Sequence, residues 1–249
     1  VAYTHSKARD LMSAGSIASG SWTAVRTVAG NNTLPLAYAD QDLPDRTVGV
    51  LGYRLEYGGQ FGGATQISIG YVGENRGFNA SAGFNTSRFS YSIAGDMNGD
   101  GVSDNDLLFV PDQTQLSQML FDDIKDAGGN VLFTGDQQRA AFNAFIEQDD
   151  YLSTRRGQYA ERNGVLFPKL NRFDLSVVQE FYIKIGKKRN AIQFRADILN
   201  VVNLLDSEAG LGNNYVNDRP LSYRGVTADG QPRYQLARQA KDGQSVLIQ

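Results

Sequence analysis

The chain has 249 residues, no cysteine and one histidine, His5, and its 24 Lys and Arg against 27 Asp and Glu give a net charge of −3. Without cysteine there is no disulfide framework, cysteine zinc cluster or thiol chemistry, and a Ser-His-Asp triad would have to use His5. No run of 18 apolar residues could form a transmembrane helix. The chain opens on Val1 rather than Met, which we interpret as a processed end or a cut.

Alternating residues predict strands in the first third of the chain, because side chains of an extended strand point to opposite faces in turn. Residues 1–7 form the first such stretch, with Tyr3 and His5 on the same side. Residues 46–57 form the second, and a glycine-rich turn at 58–63 leads into the third, residues 64–72. The apolar face of this hairpin carries Leu51, Tyr53, Leu55, Tyr57, Ile67, Ile69 and Tyr71.

The clearest alternation lies in residues 170–185, and a short polar turn at 186–190 joins it to a second alternating stretch, 192–198. Together they predict a long β-hairpin. Gln179 and Asn200 fall on its apolar side, and Asn200 marks either a bulge or the end of the apolar band. The apolar side carries Phe173, Leu175, Val177, Phe181, Ile183, Ile192, Phe194 and Ile198.

Strand and connector lengths distinguish two all-β architectures. Strands of soluble sandwiches are usually about 5–6 residues long, whereas membrane barrels need about 9–11 tilted residues per crossing. Short turns at 58–63 and 186–190 alternate with long connections at about 10–44, 73–169 and 204–249, which is typical of an outer-membrane barrel with extracellular loops. The predicted fold class is therefore all-β: a partial transmembrane antiparallel β-barrel of about five spanning strands.

The longest loop also contains helical patterns. Leu116, Met119, Leu120 and Ile124 fall at helical spacing, and glycines at 128 and 129 stop the run. Thr134 with Gln137 three residues later predicts a capping box, followed by an apolar stripe from Ala141 to Ile146. We expect two short helices inside this loop.

The same loop carries the most specific short motif of the chain, DMNGDG at residues 96–101. It places oxygen ligands at positions 1, 3 and 5 and a glycine at position 6, as in the first half of a calcium loop. The glutamate that an EF-hand has at position 12 is missing, so a Ca²⁺ loop of another geometry and a metal-free turn both remain open. The role would be structural, and the candidate metal ligands are Asp96, Asn98, Asp100, the Val102 carbonyl, Asp104 and Asp106.

Other charged groups have simpler interpretations. The acidic pairs Asp122–Asp123 and Asp149–Asp150 could suggest a glycosidase, but no pattern fixes their separation, and we expect no enzymatic activity. The basic residues 187–189 are interpreted as a solvated hairpin tip, and His5 as an interfacial side chain. The small net charge argues neither for nor against nucleic acid, and we expect no nucleic-acid partner.

Several stretches resemble TonB-dependent outer-membrane receptors, and most closely their Oar-like and starch-utilisation-type branch. The strongest are NRFDLSVVQEF at 171–181 and FRADILNVVN at 194–203, which resemble the C-terminal strands of that family. Three further stretches match in the same order: AYTHSKA at 2–8, GDMNGDG at 95–101 with NDL at 105–107, and RGQYAERN at 156–163.

The resemblance implies a 22-stranded barrel with an N-terminal plug, a TonB-contacting segment, energised uptake of a large nutrient and a surface lipoprotein partner. The plug, the TonB-contacting segment and the aromatic-ended last strand are not found in these residues. Because unpaired backbone in hydrocarbon is costly, about five strands cannot close alone. We expect a C-terminal barrel portion in the bacterial outer membrane, in contact with lipid and completed by the rest of the same receptor.

Three functional hypotheses follow. The first is transport, with an interior lined by Arg54, Glu56, Arg172, Asp174, Glu180, Arg195 and Asp197. The second is a structural or adhesive outer-membrane protein that presents a calcium-stabilised loop. The third is a soluble calcium-binding β-domain, which would place the apolar faces inside a compact core.

Overall fold

The computed structural model describes residues 1–79, 84–214, 217–242 and 244–248. Residues 80–83, 215–216, 243 and 249, which belong to the predicted loops 73–169 and 204–249, lie outside the described residues. The chain is mostly strand with few helices, which confirms the all-β prediction. It divides into two compact units, the first formed by Val1–Lys7, Leu43–Ser87 and Phe167–Asn214 and the second by Ala8–Asp42, Arg88–Leu166 and Tyr215–Gln249.

The first unit is built on five antiparallel strands whose order in the sheet is the same as their order along the chain. They are β1 (Ala2–His5), β2 (Asp45–Gly58), β3 (Phe61–Asn75), β4 (Lys169–Ile185) and β5 (Lys188–Ile198). All five predicted strands are thus confirmed. Among the described strands the sheet is open, with β1 and β5 at its edges.

The register of this sheet keeps the predicted apolar parity on one face. Leu51 pairs with Ile69, Ile69 with Leu175 and Leu175 with Ile198, so one row of aliphatic residues crosses four strands. A shift of one residue in any strand would exchange its two faces, and the alternation therefore specifies the register.

The first hairpin turn is shorter than the predicted 58–63 because strand β3 already begins at Phe61. Gly58 supplies the positive φ of the turn, +88°. Gly62 is a strand residue, and the Tyr182 ring lies over it: a Cβ at Gly62 would come within 2.6 Å of that ring. Glycine here makes room for a cross-strand aromatic side chain rather than for a turn.

The remainder of the first unit consists of short elements. Asn200 adopts the left-handed conformation (φ 52°, ψ 53°) after the end of β5, and it starts a 3-10 helix, Val201–Leu204. Asn200 therefore marks the end of the strand and not a bulge. A small three-stranded sheet contains Gly77–Asn79, Phe84–Thr86 and Asn213–Asn214.

In its described residues the second unit contains four helices and a set of short strands. The helices are α1 (Ala18–Ala24), α2 (Gln113–Gln118), α3 (Gly135–Gln148) and α4 (Asp150–Ser153). No described helix has the length and hydropathy needed to cross a membrane. The strands are Arg9–Asp10, Ala37–Tyr38, Arg88–Phe89, Ile93–Ala94, Phe109–Val110, Leu120–Phe121, Ile124–Lys125, Val131–Phe133, Gln158–Tyr159, Val165–Leu166, Leu221–Val226, Pro232–Leu236, Arg238–Lys241 and Gln244–Leu247.

Helix α3 forms as predicted. Thr134 accepts a hydrogen bond from the Gln137 main-chain N–H, and the Gln137 side chain accepts from the Thr134 N–H, which completes the capping box. The predicted stripe packs into the core of the unit, where Phe142 and Ile146 are fully buried.

The other predicted helix is wrong in its second half. The helix ends at Gln118. Leu120 lies in a short strand that pairs in parallel with the strand Pro232–Leu236, where it is opposite Arg233. Ile124 lies in another strand and pairs with Phe133. Pairing with distant strands overrides the local helical spacing, because that spacing is a weak determinant once a residue is packed in a sheet.

Candidate functional site

One face of the five-stranded sheet is apolar and exposed. Leu51 is 76% exposed, Ile192 66% and Phe194 62%. The exposed side chains on this face are Tyr3, Leu51, Tyr53, Leu55, Tyr57, Phe61, Ile67, Ile69, Phe181, Ile192, Phe194 and Ile198. In the described residues this face is therefore not the interior of a compact core.

Aromatic side chains concentrate at the two ends of this face. At one end Tyr71 and Phe173 pack with ring centroids 4.9 Å apart. At the other end, near the short turns, Phe181 and Phe194 are in edge contact at 6.4 Å. Of the rows between them, Leu51–Ile69–Leu175–Ile198 is aliphatic, and the next row, Tyr53–Ile67–Val177–Ala196, carries one aromatic side chain, that of Tyr53.

The opposite face carries all seven predicted charged residues, and they form ion pairs. Arg172 lies 3.3 Å from Asp174, and Arg195 lies 2.8 Å from Asp197. Near the short turns, a four-residue charge cluster joins Arg54, Glu56, Glu180 and Arg189.

Arg189 belongs to this cluster although the sequence suggested a solvated tip at 187–189. The structure corrects that prediction, since the turn is only Gly186–Lys187 and Arg189 lies in β5, paired with Lys184 on the same face. Its guanidinium contacts Glu180 and stacks 4.0 Å from the centre of the Tyr182 ring. In the sequence, Glu180 and Lys184 fall on the polar side of the alternating stretch. That alternation is the signal that could have placed Arg189, the partner of Lys184, on the same side.

A cavity of about 320 Å³ opens on the charged face near the other end of the sheet. Arg46, Arg76 and Arg172 line it together with Glu74. Arg46 Nε is 3.2 Å and Arg76 Nη1 2.8 Å from the Glu74 carboxylate, so two cations share one anion. Sequence analysis did not single out Arg46, Glu74 or Arg76, because the cavity depends on cross-strand register.

The predicted calcium loop is a tight series of turns in the second unit. Asp96 accepts hydrogen bonds from the main-chain N–H groups of Gly99, Asp100 and Gly101. The Asn98 side-chain oxygen accepts from the Asp100 N–H, and Asp100 accepts from the Val102 N–H at 2.8 Å. The side chains at positions 1, 3 and 5 are thus held over one short loop.

Asp106 lies against the same loop and is buried, with 4% of its surface exposed. Its Oδ2 accepts hydrogen bonds from the main-chain N–H groups of Met97 and Asn98. Burial, reinforced by the charges of Asp100 and Asp96, raises the pKa of the Asp106 carboxyl, although the two N–H donors oppose the shift.

Asp104 has other partners for both of its carboxylate oxygens. It has a left-handed φ of 70°, its Oδ1 accepts from the Gly95 N–H, and its Oδ2 lies 3.1 Å from Arg219. Among the described residues, no three His, Cys, Asp or Glu side chains form a group that could hold a metal ion. The calcium site therefore stays a prediction.

Three carboxylates of the two acidic pairs, Asp122, Asp123 and Asp149, have structural partners. Asp149 caps helix α4 and accepts a 2.7 Å hydrogen bond from Tyr91. Asp122 lies 3.4 Å from Arg233, and Asp123 accepts from the Gly135 N–H. His5 lies 3.1 Å from Asp45.

Comparison of the chain with models of known protein families, with curated proteins and with solved structures found no match. The resemblance to TonB-dependent receptors therefore stays a prediction.

Proposed function

We propose that the chain is the barrel portion of a TonB-dependent outer-membrane transporter, with the apolar sheet face in contact with lipid. The observation that carries this proposal is the exposed apolar face of a sheet whose inner strands have 14, 15 and 17 residues. Exposed apolar patches beyond a few hundred Å² are rare on soluble monomers and indicate a surface that another phase or protein covers.

The dimensions of this face support lipid as the cover. From Phe61 to Tyr71 strand β3 advances ten residues, or about 34 Å at ~3.4 Å per residue. At the 35–45° tilt of barrel strands this is roughly 26 Å along the membrane normal, close to the ~25 Å apolar band of outer-membrane barrels. The aromatic residues at both ends match the interfacial girdles of such barrels.

The connections of the sheet support the same orientation. Both short turns, Gly59–Gln60 and Gly186–Lys187, lie at one end of the sheet, and the long connections after His5, Asn75 and Ile198 leave from the other. Outer-membrane barrels have short periplasmic turns and long extracellular loops. We infer that the turns face the periplasm.

The open edges support a larger assembly. Strands β1 and β5 each present one side without a partner among the described strands. In a bilayer such an edge must be closed, because each unpaired backbone group costs several kcal/mol. The proposed partners are further strands and a plug of the same receptor, TonB through its N-terminal region, and a surface lipoprotein.

The charged face supports transport over adhesion. Its ion-paired arginines and carboxylates, and the cavity lined by Arg46, Arg76 and Arg172, suit a polar interior through which a hydrophilic nutrient passes. The alternative is a structural or adhesive barrel filled by its own side chains. Sequencing the region that precedes residue 1 distinguishes them, since a plug domain there supports transport and its absence from the whole protein supports adhesion.

Membrane orientation is tested with tryptophan at adjacent positions on opposite faces of β5. Phe194→Trp and Arg195→Trp are made in a Trp22→Phe background of the whole protein, which removes the one native tryptophan of these residues. In vesicles containing brominated lipid, we expect strong quenching at position 194 and weak quenching at 195. Equal quenching at both positions would overturn the proposal, as would recovery of the folded protein from the soluble cell fraction.

A further inference from the structure

We propose that the cavity lined by Arg46, Arg76 and Arg172 binds an oxyanion, a phosphate or carboxylate group that the transported nutrient carries. The anion site itself depends only on the five-stranded sheet and on the segments beside it in the first unit. The assignment of its ligand as the nutrient rests on the proposed function.

The first argument is the way in which Glu74 holds two of the guanidinium groups. Arg46 Nε lies 3.2 Å from Glu74 Oε2, and Arg76 Nη1 lies 2.8 Å from Glu74 Oε1. The Glu74 side chain is only 8% exposed, whereas the side chains of Arg46 and Arg76 are each 49% exposed. The carboxylate is thus largely covered, while the two cations remain accessible to a ligand.

Arg172 joins these two arginines through the strand register. It lies opposite Val72, and Val72 stands two positions before Glu74 on the same face of β3. Residues in such a diagonal relation across two strands are about 7–8 Å apart, which is within reach of a long side chain. Arg172 therefore lines the same cavity from the neighbouring strand.

The second argument is the supply of N–H donors. A guanidinium has five N–H groups in a planar fork that matches the oxygens of carboxylate and phosphate. Within the described part of the chain, the three guanidinium groups donate one hydrogen bond between them, from Arg76 Nη1 to Glu74. Arg46 and Arg172 contact their carboxylates as ion pairs. Most of these N–H groups are therefore available to a ligand.

The third argument is the charge around the cavity. Among the described residues that line it, three arginines stand against one carboxylate, that of Glu74. Asp174, which lies 3.3 Å from Arg172, adds a second carboxylate nearby. Positive charges still exceed negative charges by three to two, so the cavity attracts an anion.

The cavity has room for more than a bare ion. Its volume of about 320 Å³ lies at the lower end of the range of small-molecule sites. Val72 and Leu170 give it an apolar wall beside the arginines. We expect a small organic anion, or one unit of a larger anionic ligand, with its charged group on the arginines and its carbon skeleton against this wall.

The position of the cavity agrees with uptake. Glu74 and Leu170 pair at the end of the sheet from which the long connection after Asn75 leaves. Under the proposed function this end faces the outside of the cell. The site would therefore meet the nutrient before the nutrient reaches the rest of the charged face.

The test is calorimetric titration of the whole detergent-solubilised protein with inorganic phosphate and, in a separate run, with citrate. We expect one saturable site for at least one of the two anions, with a dissociation constant of about 1 mM or below. The anion that binds more tightly identifies the preferred group as phosphate or carboxylate.

Two arginine variants are compared with a matched control. Arg46→Gln and Arg172→Gln should each weaken anion binding at least tenfold, because each removes charge-assisted hydrogen bonds to the ligand. Lys187→Gln removes the same charge at the exposed turn of the opposite end of the sheet, and it should change the affinity less than twofold. Arg172→Gln leaves the contacts of Glu74 with Arg46 and Arg76 in place, so the test stays informative if the Arg46→Gln protein fails to fold.

No saturable binding of either anion up to about 20 mM would overturn the proposal, and so would equal affinities of the wild type and Arg172→Gln. Brominated-lipid quenching does not depend on the anion, so failure of the two proposals is distinguishable. Anion binding with equal quenching at positions 194 and 195 would support the site and overturn its assignment to the nutrient. The expected quenching without anion binding would overturn this inference alone.

Discussion

The Gln179 side chain donates a hydrogen bond from Nε2 to the Tyr57 hydroxyl, 2.7 Å away across the sheet. Its Oε1 accepts a 2.7 Å bond from Thr65 Oγ1, and Nε2 also reaches the main-chain oxygens of Ala64 and Glu180. Gln179 is the residue that interrupts the apolar parity of β4. Three strands satisfy its amide locally, so the apolar face tolerates it at the end near the turns.

This network predicts coupling between two residues. Thr65→Val removes the donor to Oε1 and should lower the free energy of unfolding by about 1–3 kcal/mol, the usual penalty of an unsatisfied polar group. The double variant Thr65→Val with Gln179→Leu removes both partners and should lose less than the sum of the single variants, by at least ~0.5 kcal/mol. Denaturant unfolding in lipid vesicles measures both values, and strictly additive losses would contradict the prediction.

The Tyr182–Gly62 contact predicts a steric effect. Gly62→Ala should destabilise the protein by about 1–3 kcal/mol, because the new methyl group meets the Tyr57 carbonyl at 2.5 Å and the Tyr182 ring at 2.6 Å. Gly59→Ala is the control, since a Cβ there meets nothing within 4 Å. Equal midpoints of denaturant unfolding for the two variants would argue against the packing role of Gly62.

Burial of Tyr234 predicts an alkaline transition. Burial raises the pKa of its phenol to about 12, with the phenols of Tyr159 and Tyr223 adding to the shift. A tyrosine in the unfolded chain has a pKa near 10, so the folded state holds the phenolic proton more tightly than the unfolded state does. The contribution of the neutral Tyr234 phenol to the free energy of unfolding is fully present below about pH 10, and it is lost as the pH rises through about 12. Absorbance at 295 nm should show one fewer late-titrating phenol in Tyr234→Phe, whereas an unchanged curve would refute the assignment.

The buried Gln138 side chain predicts a large loss of stability when its amide is removed. This fully buried side chain donates to the Asp122 carbonyl at 2.8 Å and accepts from the Leu236 N–H at 3.0 Å, so it joins helix α3 to the strand Pro232–Leu236 and to the residue that follows the strand Leu120–Phe121 by one position. Gln138→Leu should cost about 2–4 kcal/mol, because two buried main-chain groups lose their partner. The exposed Gln148→Leu in the same helix should change stability by less than about 0.5 kcal/mol. Near-ultraviolet circular dichroism during thermal unfolding compares the two.

Sequence patterns predicted the five-stranded sheet well, because period-two alternation is a local property that also specifies which face is apolar. Leu51, Leu175 and Ile192 fall on one face simply by parity. The capping box of Thr134 and Gln137 was predictable for the same reason, since its two residues are three apart in the chain.

The rest depends on contacts between distant residues. Strands of two residues, such as Leu120–Phe121, are too short to show any periodicity, and only pairing with Arg233 and Tyr234 makes them strands. The cavity between Arg46 and Arg172 and the buried position of Asp106 likewise depend on segments far apart in the sequence. No local pattern contains that information.

Strands β3 and β4 pair over fifteen successive positions, from Phe61 with Ile183 to Asn75 with Lys169. The ninety-three residues between Asn75 and Lys169 are therefore an insertion that the ladder does not use. Replacement of this insertion by an unrelated segment would leave every hydrogen bond between the strands of the five-stranded sheet in place. The five-stranded sheet can therefore stay the same while the sequence of the segment between Asn75 and Lys169 changes.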